Sequence, residues 1–363
     1  MNLVLDNIIF SLQKAGGASV LWQQHIERLI EDKRFAPFFL EYNNAKQNFF
    51  RNQISIDTNL IDLRNSDFLS IKRYLNLNSL NNNKHLFHSS HYRLEYGKNV
   101  INVTTVHDFT YEHFVKGFRK KVHSYQKNLA INGSNGIICV SESTKKDLLR
   151  FLPETKKDKI KVIYNGVDEV FRPLEGIVDF RKGHSFEDYS YLLYIGDRKT
   201  LYKNFNMAVN ATYLSKKPLL IIGGGELTKE EAHFLKHKLG SGNFEILLGV
   251  SVTDLNYYYN KAFCLLYPSL YEGFGIPVVE AQRAGCPVVA TNSSSIPEVI
   301  GNKYLMVANP TSQEFFCKIK ELEFTNDLRK ESIESGFAKS KKFSWKNTYE
   351  ETTEFYKQLY FEK

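Results

Sequence analysis

The sequence predicts an α/β protein built from two doubly wound parallel sheets, and three observations support this fold. The chain has 363 residues, more than one hydrophobic core usually supports, so two domains are expected. Residues 262–290 read as a buried strand, a loop with two glycines, a helix and a second strand. Residues 3–32 begin in the same way, with a strand over 3–9, a Gly-Gly loop and a helix from Val20. Strands that alternate with helices form parallel sheets covered on both faces.

Composition and charge narrow the classes of function. The net charge of +8 favours an anionic partner, such as a phosphorylated ligand, a lipid surface or nucleic acid. No zinc-finger spacing or RNA-binding signature is present, so we expect no nucleic acid. The four cysteines lie far apart, which favours a reduced, cytoplasmic protein. No apolar run reaches the length of about 18 residues that a membrane span needs.

The loop after the strand at 262–267 is suited to binding phosphate. It contains Gly273 and Gly275, and Pro277 then suits the first position of a helix that ends at Gly285. In parallel sheets, ligands bind at the carboxyl ends of the strands. The glycines let backbone N–H groups approach a ligand closely, and the helix N-terminus adds a partial positive charge.

Two carboxylates, Glu272 and Glu280, flank this loop eight positions apart. A carboxylate beside a phosphate is unfavourable unless it binds something else. An ionised carboxylate only accepts hydrogen bonds and a sugar hydroxyl can donate one, so we predict a nucleotide diphospho-sugar as the ligand. In the alternative interpretation, Glu272 is a solvated loop residue and Glu280 complements the helix dipole.

The segment Glu272-Gly-Phe-Gly-Ile-Pro-Val-Val-Glu280 resembles the E-x7-E signature of retaining glycosyltransferases with the GT-B fold, family 4, which includes the group 1 enzymes of bacterial polysaccharide synthesis. The resemblance implies two Rossmann-like domains that face a central cleft. It also implies that Glu280 binds the ribose diol and Glu272 the sugar hydroxyls. Donor contacts are then expected from Gly273, Phe274 and Gly275.

Two segments near the start of the chain match the same family. Gly16 and Gly17 stand where the family's glycines face the donor diphosphate, although a tight strand–helix turn also explains them. Thr-Val-His107-Asp108 resembles a strand end at the floor of the cleft, where a neutral imidazole can bind a sugar hydroxyl. Alternatively, His107 is a strand-end residue capped by Asp108.

Two cations and a glycine turn follow strands in the second half of the chain. Arg198 and Lys203 are five positions apart and can reach one anion together. The resemblance implies that they grip the donor diphosphate and stabilise the leaving group; an ordinary basic turn is the alternative. Gly224 is then expected beside the nucleotide. Thr228 replaces the third glycine of a dinucleotide fingerprint, so we reject binding of NAD.

The domain boundaries follow from where periodicity is lost. Residues 1–168 are predicted as an acceptor-side domain, 169–189 as a linker and 190–345 as the donor domain. The last helix, 346–363, is expected to pack back on the first domain, as in the family. Residues 46–99 show no clear pattern. Family members bind their different acceptors in this part of the chain.

Basic and aromatic residues alternate in the segment 114–127. This composition fits an amphipathic helix on an anionic membrane surface, and it also fits an ordinary solvated helix face. His88 and His91 have no third ligand at a sensible spacing, so no metal site is expected there.

Together these features predict a retaining hexosyltransferase that needs neither a cofactor nor a divalent metal, because no D-x-D motif is present. We expect a GDP- or UDP-sugar as donor, and a glycan or polyprenyl-linked oligosaccharide of a bacterial O-antigen or capsule as acceptor. A mannosyltransferase at the inner face of the plasma membrane fits this description. The alternative is a non-catalytic nucleotide-sugar sensor or partner with the same fold.

Overall fold

Two parallel β-sheets organise the structure, one in each of two units of the chain. The computed structural model describes residues 1–80, 82–175 and 183–362. The first unit combines Met1–Gly166 with Trp345–Lys363, and the second unit is Val167–Ser344.

Seven parallel strands form the main sheet of the first unit. They are β1 (Asn2–Asp6), β2 (Ala36–Tyr42), β3 (Ile61–Arg64), β5 (His85–Ser89), β7 (Val100–Val106), β8 (Gly136–Cys139) and β9 (Ile160–Val162). Their order is β3-β2-β1-β5-β7-β8-β9. A separate parallel pair is formed by β4 (Leu77–Asn78) and β6 (Glu95–Tyr96).

Helices connect these strands. They are α1 (Ile9–Leu12), α2 (Gly17–Glu31), α3 (Leu69–Lys72), α4 (Thr110–Phe114), α5 (Phe118–Gly133) and α6 (Glu142–Phe151), with α14 (Trp345–Phe361) added from the end of the chain. Within the described ranges, no helix of either unit is long and apolar enough to cross a membrane.

The second unit repeats the design with six parallel strands. They are β10 (Leu192–Ile195), β11 (Leu219–Ile222), β12 (Phe244–Leu247), β13 (Cys264–Tyr267), β14 (Val288–Thr291) and β15 (Met306–Val307). Its helices are α7 (Phe205–Ser215), α8 (Lys229–Leu239), α9 (Val252–Lys261), α10 (Ile276–Arg283), α11 (Ile296–Val299), α12 (Ser312–Phe324) and α13 (Asn326–Ser340).

The strand order of both sheets confirms the predicted doubly wound fold. The second sheet runs β12-β11-β10-β13-β14-β15, the Rossmann order in which the chain first builds to one side of β10 and then turns to the other. The direction changes between β10 and β13. Loops that leave the carboxyl ends of these two strands diverge, and the resulting crevice is where such sheets bind ligands.

Burial explains which strands could be recognised in the sequence. Every residue of β13 is at most 2% exposed, and β7 and β11 are almost as deeply covered. Helices lie on both faces of a parallel sheet, so its strands read as continuous apolar runs. For that reason the apolar run of β11 marks the whole strand in the sequence, from Leu219 to Ile222.

Strand β5 lies in the part of the sequence that shows no clear pattern, and its contacts show why. It lies between β1 and β7, and all five of its residues are buried. Three of the five are polar, and each has a buried partner: His85 pairs with Glu95, His88 with Thr105, and Ser89 with Asp6. A strand stabilised by internal hydrogen bonds does not show the apolar run that predicts burial.

The prediction for the beginning of the chain needs correction. The strand expected over residues 3–9 ends at Asp6, and α1 follows it. The side chain of Asn7 accepts a hydrogen bond from the indole N–H of Trp22 at 2.7 Å and donates one to Glu41, while its backbone N–H still donates to the carbonyl of Leu40 on β2. The helix expected from Val20 begins earlier, at Gly17.

The described ends of the segment assigned to a linker are attached to the second unit. Arg172 and Leu174 donate backbone hydrogen bonds to side chains of α9, and Phe186 is buried. The central part of this predicted linker, residues 176–182, lies outside the described residues. The last helix, α14, packs in the first unit, where the Tyr349 hydroxyl donates to Asp32 at 2.7 Å. The acceptor and donor roles of the two units stay predictions.

The basic segment 114–127 is divided between two helices, because α4 ends at Phe114 and α5 begins at Phe118. Phe118 and Tyr125 are 79% and 72% exposed, as an amphipathic surface requires. The expected contribution of Lys127 to this surface is wrong. Its side chain is fully buried and its ammonium group pairs with Glu112 at 2.8 Å.

Candidate functional site

The loop between β13 and α10 has the backbone that its glycines predict. Gly275 precedes α10 with φ of +100°, a left-handed conformation that favours glycine. A Cβ atom at this position would lie 2.9 Å from a methyl group of Ile296. Pro277 lies in the first turn of the helix, where its missing N–H costs nothing. The turn therefore brings the chain directly from the strand to the helix N-terminus.

Glu272 is fixed in this loop through its backbone. Its N–H donates to the hydroxyl of Ser294 at 2.7 Å, and its carbonyl accepts from Ser295 at 3.0 Å. Ser295 also donates to the carbonyl of Phe274. The ring of Phe274 is buried and packs edge-on against Phe343, so its side chain belongs to the interior of the second unit.

The carboxylate of Glu272 forms an ion pair with Lys203. Lys203 ends a short 3₁₀ helix after β10, and its Nζ lies 2.6 Å from Oε1 of Glu272. The two side chains are only 19% and 11% exposed. Burial and the charge of Glu272 raise the pKa of the Tyr267 hydroxyl well above its usual value. The structure thus brings together a cation and a carboxylate that are 69 positions apart.

Arg198 is held differently from Lys203. Its side chain is fully buried, and its guanidinium donates to the carbonyls of Gly223 and Gly225 and to the carboxylate of Glu231 at 3.2 Å. Gly223, Gly224 and Gly225 all have positive φ values. A Cβ on Gly224 would lie 2.8 Å from Nη1 of Arg198. The arginine therefore fixes the turn after β11. A residue other than glycine at position 224 would displace the Arg198 guanidinium or change the turn.

The glycine turn borders a cavity of about 440 Å³ at the carboxyl edge of the sheet. It is an open cavity formed by the ends of β11 and β12 and the residues that follow them. Its lining consists of Ile222, Gly223, Gly225, Glu226, Leu247, Leu248, Gly249, Val250 and Leu255. Mostly apolar walls with backbone groups at the rim are typical of small-molecule sites.

Glu280 lies on α10 and has an unusual ionisation. Its Oε2 accepts a hydrogen bond from the hydroxyl of Tyr259 at 2.9 Å. Burial, with a smaller contribution from the charge of Asp168, raises the pKa of Glu280 to about 7, although the Tyr259 hydrogen bond opposes this. Ionisation of such a buried carboxylate is unfavourable in the free protein, and a ligand that donates hydrogen bonds to it makes the ionised form more favourable.

In the first unit, the predicted glycines lie at the start of α2. Gly16 precedes the helix and Gly17 is its first residue, and no side chain caps this helix. The backbone at Gly16 is extended, with φ of 162°, so its conformation does not itself require glycine. A Cβ there would come within 2.7 Å of the Gln13 side chain. The N-terminus of α2 is thus formed by backbone alone.

His107 follows β7, and burial lowers its pKa, so its imidazole is neutral. Asp108, the proposed capping residue in the alternative interpretation, accepts from the backbone N–H of Thr110, the first residue of α4, at 3.0 Å. The carbonyl of Asp108 accepts from Lys127. The contacts of Asp108 therefore fix the loop behind His107.

Sequence reasoning missed the residues that support the site. Tyr259 lies within a run of three tyrosines, and Ser294 and Ser295 lie within a run of three serines, so no single position was distinguished. Glu231 has a clearer signal, because Thr228 and Glu231 form the capping box that begins α8. Its second role, as partner of Arg198, requires the fold.

Fold and motif together define a protein of the GT-B glycosyltransferase class. The family model described as glycosyl transferases group 1 matches residues 177–339, and the model described as glycosyltransferase family 4 matches residues 54–171. The chain belongs to this family of glycosyltransferases.

Relatives and solved structures agree with this assignment. O-antigen chain mannosyltransferase B of Escherichia coli is 40% identical over 107 residues, which are 29% of this chain and 28% of that protein. O-antigen chain mannosyltransferase RfbU of Salmonella typhimurium is 26% identical over 248 residues, covering 66% of this chain and 65% of that protein. Both alignments span less than two thirds of the relative's length.

The structure of HepE from Anabaena in complex with UDP and glucose shares the fold. It is similar with a TM-score of 0.68 and 15% sequence identity, and the match covers 99% of this chain and 100% of that one.

Proposed function

We propose that the protein is a retaining glycosyltransferase that moves a hexose from a nucleotide diphospho-sugar to a hydroxyl group of a glycan acceptor. The observation that carries the proposal is the 2.6 Å ion pair between Lys203 and Glu272 beside the glycine loop. It combines a cation for phosphate with an acceptor for sugar hydroxyls. Relatives named O-antigen chain mannosyltransferases support mannose as the hexose, and the UDP bound to HepE supports a nucleoside diphosphate leaving group.

Each part of the donor has a suitable group in the second unit. In our proposal the base enters the cavity beside Gly225 and Val250, and the ribose hydroxyls donate to Glu280. The diphosphate accepts from Lys203 and from backbone N–H groups of the glycine loop. Arg198 supports the glycine turn; direct contact with a phosphate oxygen would require it to exchange hydrogen bonds that it makes to the turn.

The reaction breaks the bond between C1 of the sugar and a phosphate oxygen, and forms a bond between C1 and the acceptor oxygen. The proton of the acceptor hydroxyl passes to the departing nucleoside diphosphate or to water. Negative charge grows on the departing phosphate oxygen, so the Lys203 ammonium group stabilises the transition state more than the bound donor. Glu272 accepts hydrogen bonds from the sugar hydroxyls and so holds the sugar in place.

Binding and turnover measurements test this proposal. We would measure thermal unfolding with GDP, UDP, GDP-mannose and UDP-glucose, and follow slow hydrolysis of the stabilising donor. A ligand at 100 times its Kd adds about 2.7 kcal/mol to the free energy of unfolding, a shift of a few degrees. Hydrolysis or transfer supports an enzyme, whereas binding without any turnover supports the alternative of a nucleotide-sugar sensor or partner subunit.

We place the acceptor on the first unit. His107 is neutral and can bind a sugar hydroxyl. The backbone N–H groups of Gly16 and Gly17 at the N-terminus of α2 stay predicted as contacts of the donor diphosphate. The acceptor is proposed to be a glycan or a polyprenyl-linked oligosaccharide of a bacterial surface polysaccharide.

Activity is expected to persist after metal removal. Lys203 supplies the positive charge that a divalent ion supplies in other transferases, so 5–10-fold molar excess of EDTA over any added metal should leave the transfer rate within about twofold. The measurement is the initial rate before and after dialysis against EDTA, with added Mg²⁺ as the control. Complete loss of activity that Mg²⁺ restores would contradict the prediction.

The segment 114–127 is proposed to contact an anionic membrane surface. Phe118 and Tyr125 are exposed, and four basic residues remain after Lys127 is excluded: Lys116, Arg119, Lys120 and Lys121. Each basic residue near an anionic leaflet contributes about 1 kcal/mol at most, and salt screens this attraction. The parent should therefore sediment with anionic liposomes and be released by salt.

The matched variant changes Arg119, Lys120 and Lys121 together to Ser. It should lose most of the liposome binding at low salt. Equal sedimentation of variant and parent, or parent binding that does not respond to salt, would return this segment to an ordinary solvated surface.

A further inference from the structure

Four buried polar atoms in one part of the first unit have no hydrogen-bond partner among the residues that the structure describes. They are Nε of Arg73, Nδ1 of His91, Nδ1 of His123 and Oε1 of Gln126. Because an unsatisfied buried group costs about 1–3 kcal/mol, such groups are rare and call for an explanation. We refer to these four residues as the Arg73 cluster.

Direct contacts hold the Arg73 cluster together. Nη2 of Arg73 lies 2.9 Å from Nε2 of His91, and the amide nitrogen of Gln126 donates to the carbonyl of Arg73. The rings of His91 and His123 pack edge to face with centroids 6.4 Å apart. The residues come from the end of α3, the loop after β5 and one face of α5. Three separate segments of the unit therefore converge on one place.

The contact between Arg73 and His91 fixes the proton of the imidazole. A guanidinium can only donate, so Nε2 of His91 must accept, and the proton of the neutral ring is on Nδ1. Burial and the charge of Arg73 keep the pKa of His91 well below its usual value, which agrees with a neutral ring. The cluster thus presents two N–H donors without acceptors, one from Arg73 and one from His91.

The charge of Arg73 is not balanced by a carboxylate. Among the described residues, no Asp or Glu lies within ion-pair distance of it. The nearby carboxylate of Glu112 pairs with Lys127 at 2.8 Å, and that of Asp108 accepts from the backbone of Thr110. Unpaired N–H donors beside an unpaired cation are complementary to an oxyanion, and a guanidinium suits phosphate especially well.

We propose that the Arg73 cluster binds the phosphate or diphosphate group of a lipid-linked acceptor. This inference rests on the proposed function, because it assigns the acceptor of that reaction. His107, which we place at the sugar end of the acceptor, lies near His91, because a positive charge on His107 would lower the pKa of His91. The Gln126 carbonyl oxygen can accept from a hydroxyl of the first sugar.

Exposed apolar residues adjoin the cluster in the sequence and favour an acceptor that carries a hydrocarbon chain. Tyr74 and Leu75 directly follow Arg73 and are 38% and 57% exposed, while Tyr125 precedes Gln126 and is 72% exposed. The Arg73 guanidinium lies over the Tyr74 ring, 5.2 Å from its centroid. A soluble sugar phosphate would contact the Arg73 guanidinium but not these apolar side chains. Binding measurements can therefore distinguish a lipid-linked phosphate from a soluble one.

Histidine resonances report directly on this site. We would label the protein with ¹⁵N-histidine, assign His91 and His123 by single substitutions to Asn, and titrate with inorganic pyrophosphate. Both resonances should shift and saturate, and Arg73→Gln should weaken this binding by about 10–100-fold, since a charged hydrogen bond contributes about 1.5–3 kcal/mol. Arg150→Gln, an exposed arginine on α6, is the matched control and should bind like the parent.

Two further titrations separate the sources of phosphate. A short-chain prenyl diphosphate should bind at least tenfold more tightly than pyrophosphate, and a soluble sugar phosphate should not. Equal binding of all three would overturn the lipid-linked acceptor, and unmoved histidine resonances with every probe would overturn the site itself. Arg73→Lys keeps the charge but loses the Nε–H donor, so it should bind with intermediate strength if Arg73→Gln fails to fold.

Kinetics distinguish failure of this inference from failure of the proposed function. Arg73→Gln should reduce transfer to a prenyl-linked acceptor through its KM, while slow hydrolysis of the donor stays at the parent rate. If the parent itself does not turn over a donor, the proposed function fails, but the histidine titration still reports on phosphate binding. Parental KM for the prenyl-linked acceptor in a folded Arg73→Gln would overturn the inference.

Discussion

Replacing Lys203 with alanine is expected to lower kcat by about 100-fold or more, with a smaller increase in donor KM. Lys203 pairs with Glu272 at 2.6 Å in the free protein, so the substitution removes a positioned cation. The charge of the leaving diphosphate grows as the bond to the sugar breaks, and interactions that strengthen in the transition state are lost mainly from kcat. Initial rates across a range of donor concentrations measure both constants.

Two matched variants define what this loss means. Lys199→Ala removes an exposed lysine of the same turn and should leave kcat near the parent value. Lys203→Arg keeps the charge and should retain more activity than Lys203→Ala. If Lys203→Ala kept kcat within about twofold of the parent, Lys203 could not be the group that stabilises the departing diphosphate.

The second unit shows how much of a site a sequence can predict. The order of strand, glycine loop and helix around Gly275 follows from local chemistry, because a positive φ needs glycine and a helix start tolerates proline. The proximity of Lys203 to Glu272 follows less directly: each residue follows the carboxyl end of a strand, and the two strands are neighbours only because of the order of the sheet. Local pattern predicted the elements, and topology brought the residues together.

Other features could not be predicted because they depend on long-range polar contacts. The hydrogen bonds from the Arg198 guanidinium to the glycine turn after β11 were not predicted, and its contact with the diphosphate beside Lys203 stays a prediction. Nothing in a sequence shows which buried partner satisfies an arginine. The same holds for β5, whose buried histidines resemble a polar loop until their partners on other elements are known.

The ionisation of Glu280 gives a further expected result, a nucleotide affinity that depends on pH. Burial raises the pKa of this carboxyl group to about 7 in the free protein. Ribose hydroxyls donate to the ionised form, so the nucleoside diphosphate should bind with constant affinity above about pH 7 and more weakly as the pH falls below it, by up to tenfold per unit. Glu280→Gln should bind about 10–100-fold more weakly at pH 8 and show a flatter pH profile.

The same substitution should stabilise the free protein at alkaline pH. The folded-state pKa of Glu280 is raised above its ordinary value of 4.5, so ionisation is penalised in the folded state. The resulting loss of stability is absent below about pH 4.5, the pKa in the unfolded chain. It increases as the pH rises from 4.5 to about 7, the pKa in the folded protein, and reaches its full size above that pH. Glu280→Gln removes it, and its amide oxygen can still accept from Tyr259.

Denaturant unfolding at pH 5 and pH 8 measures this effect. The free energy of unfolding of Glu280→Gln relative to the parent should be higher at pH 8 than at pH 5, by about 1–3 kcal/mol. Glu334→Gln, which changes an exposed carboxylate on α13, should show no such difference. We expect the Glu280 carboxylate to lower the stability of the free protein when it ionises, and we expect ribose hydroxyls to offset that cost. A stability difference that does not depend on pH, or an unchanged nucleotide affinity in Glu280→Gln, would therefore contradict the assignment of Glu280 to the ribose site.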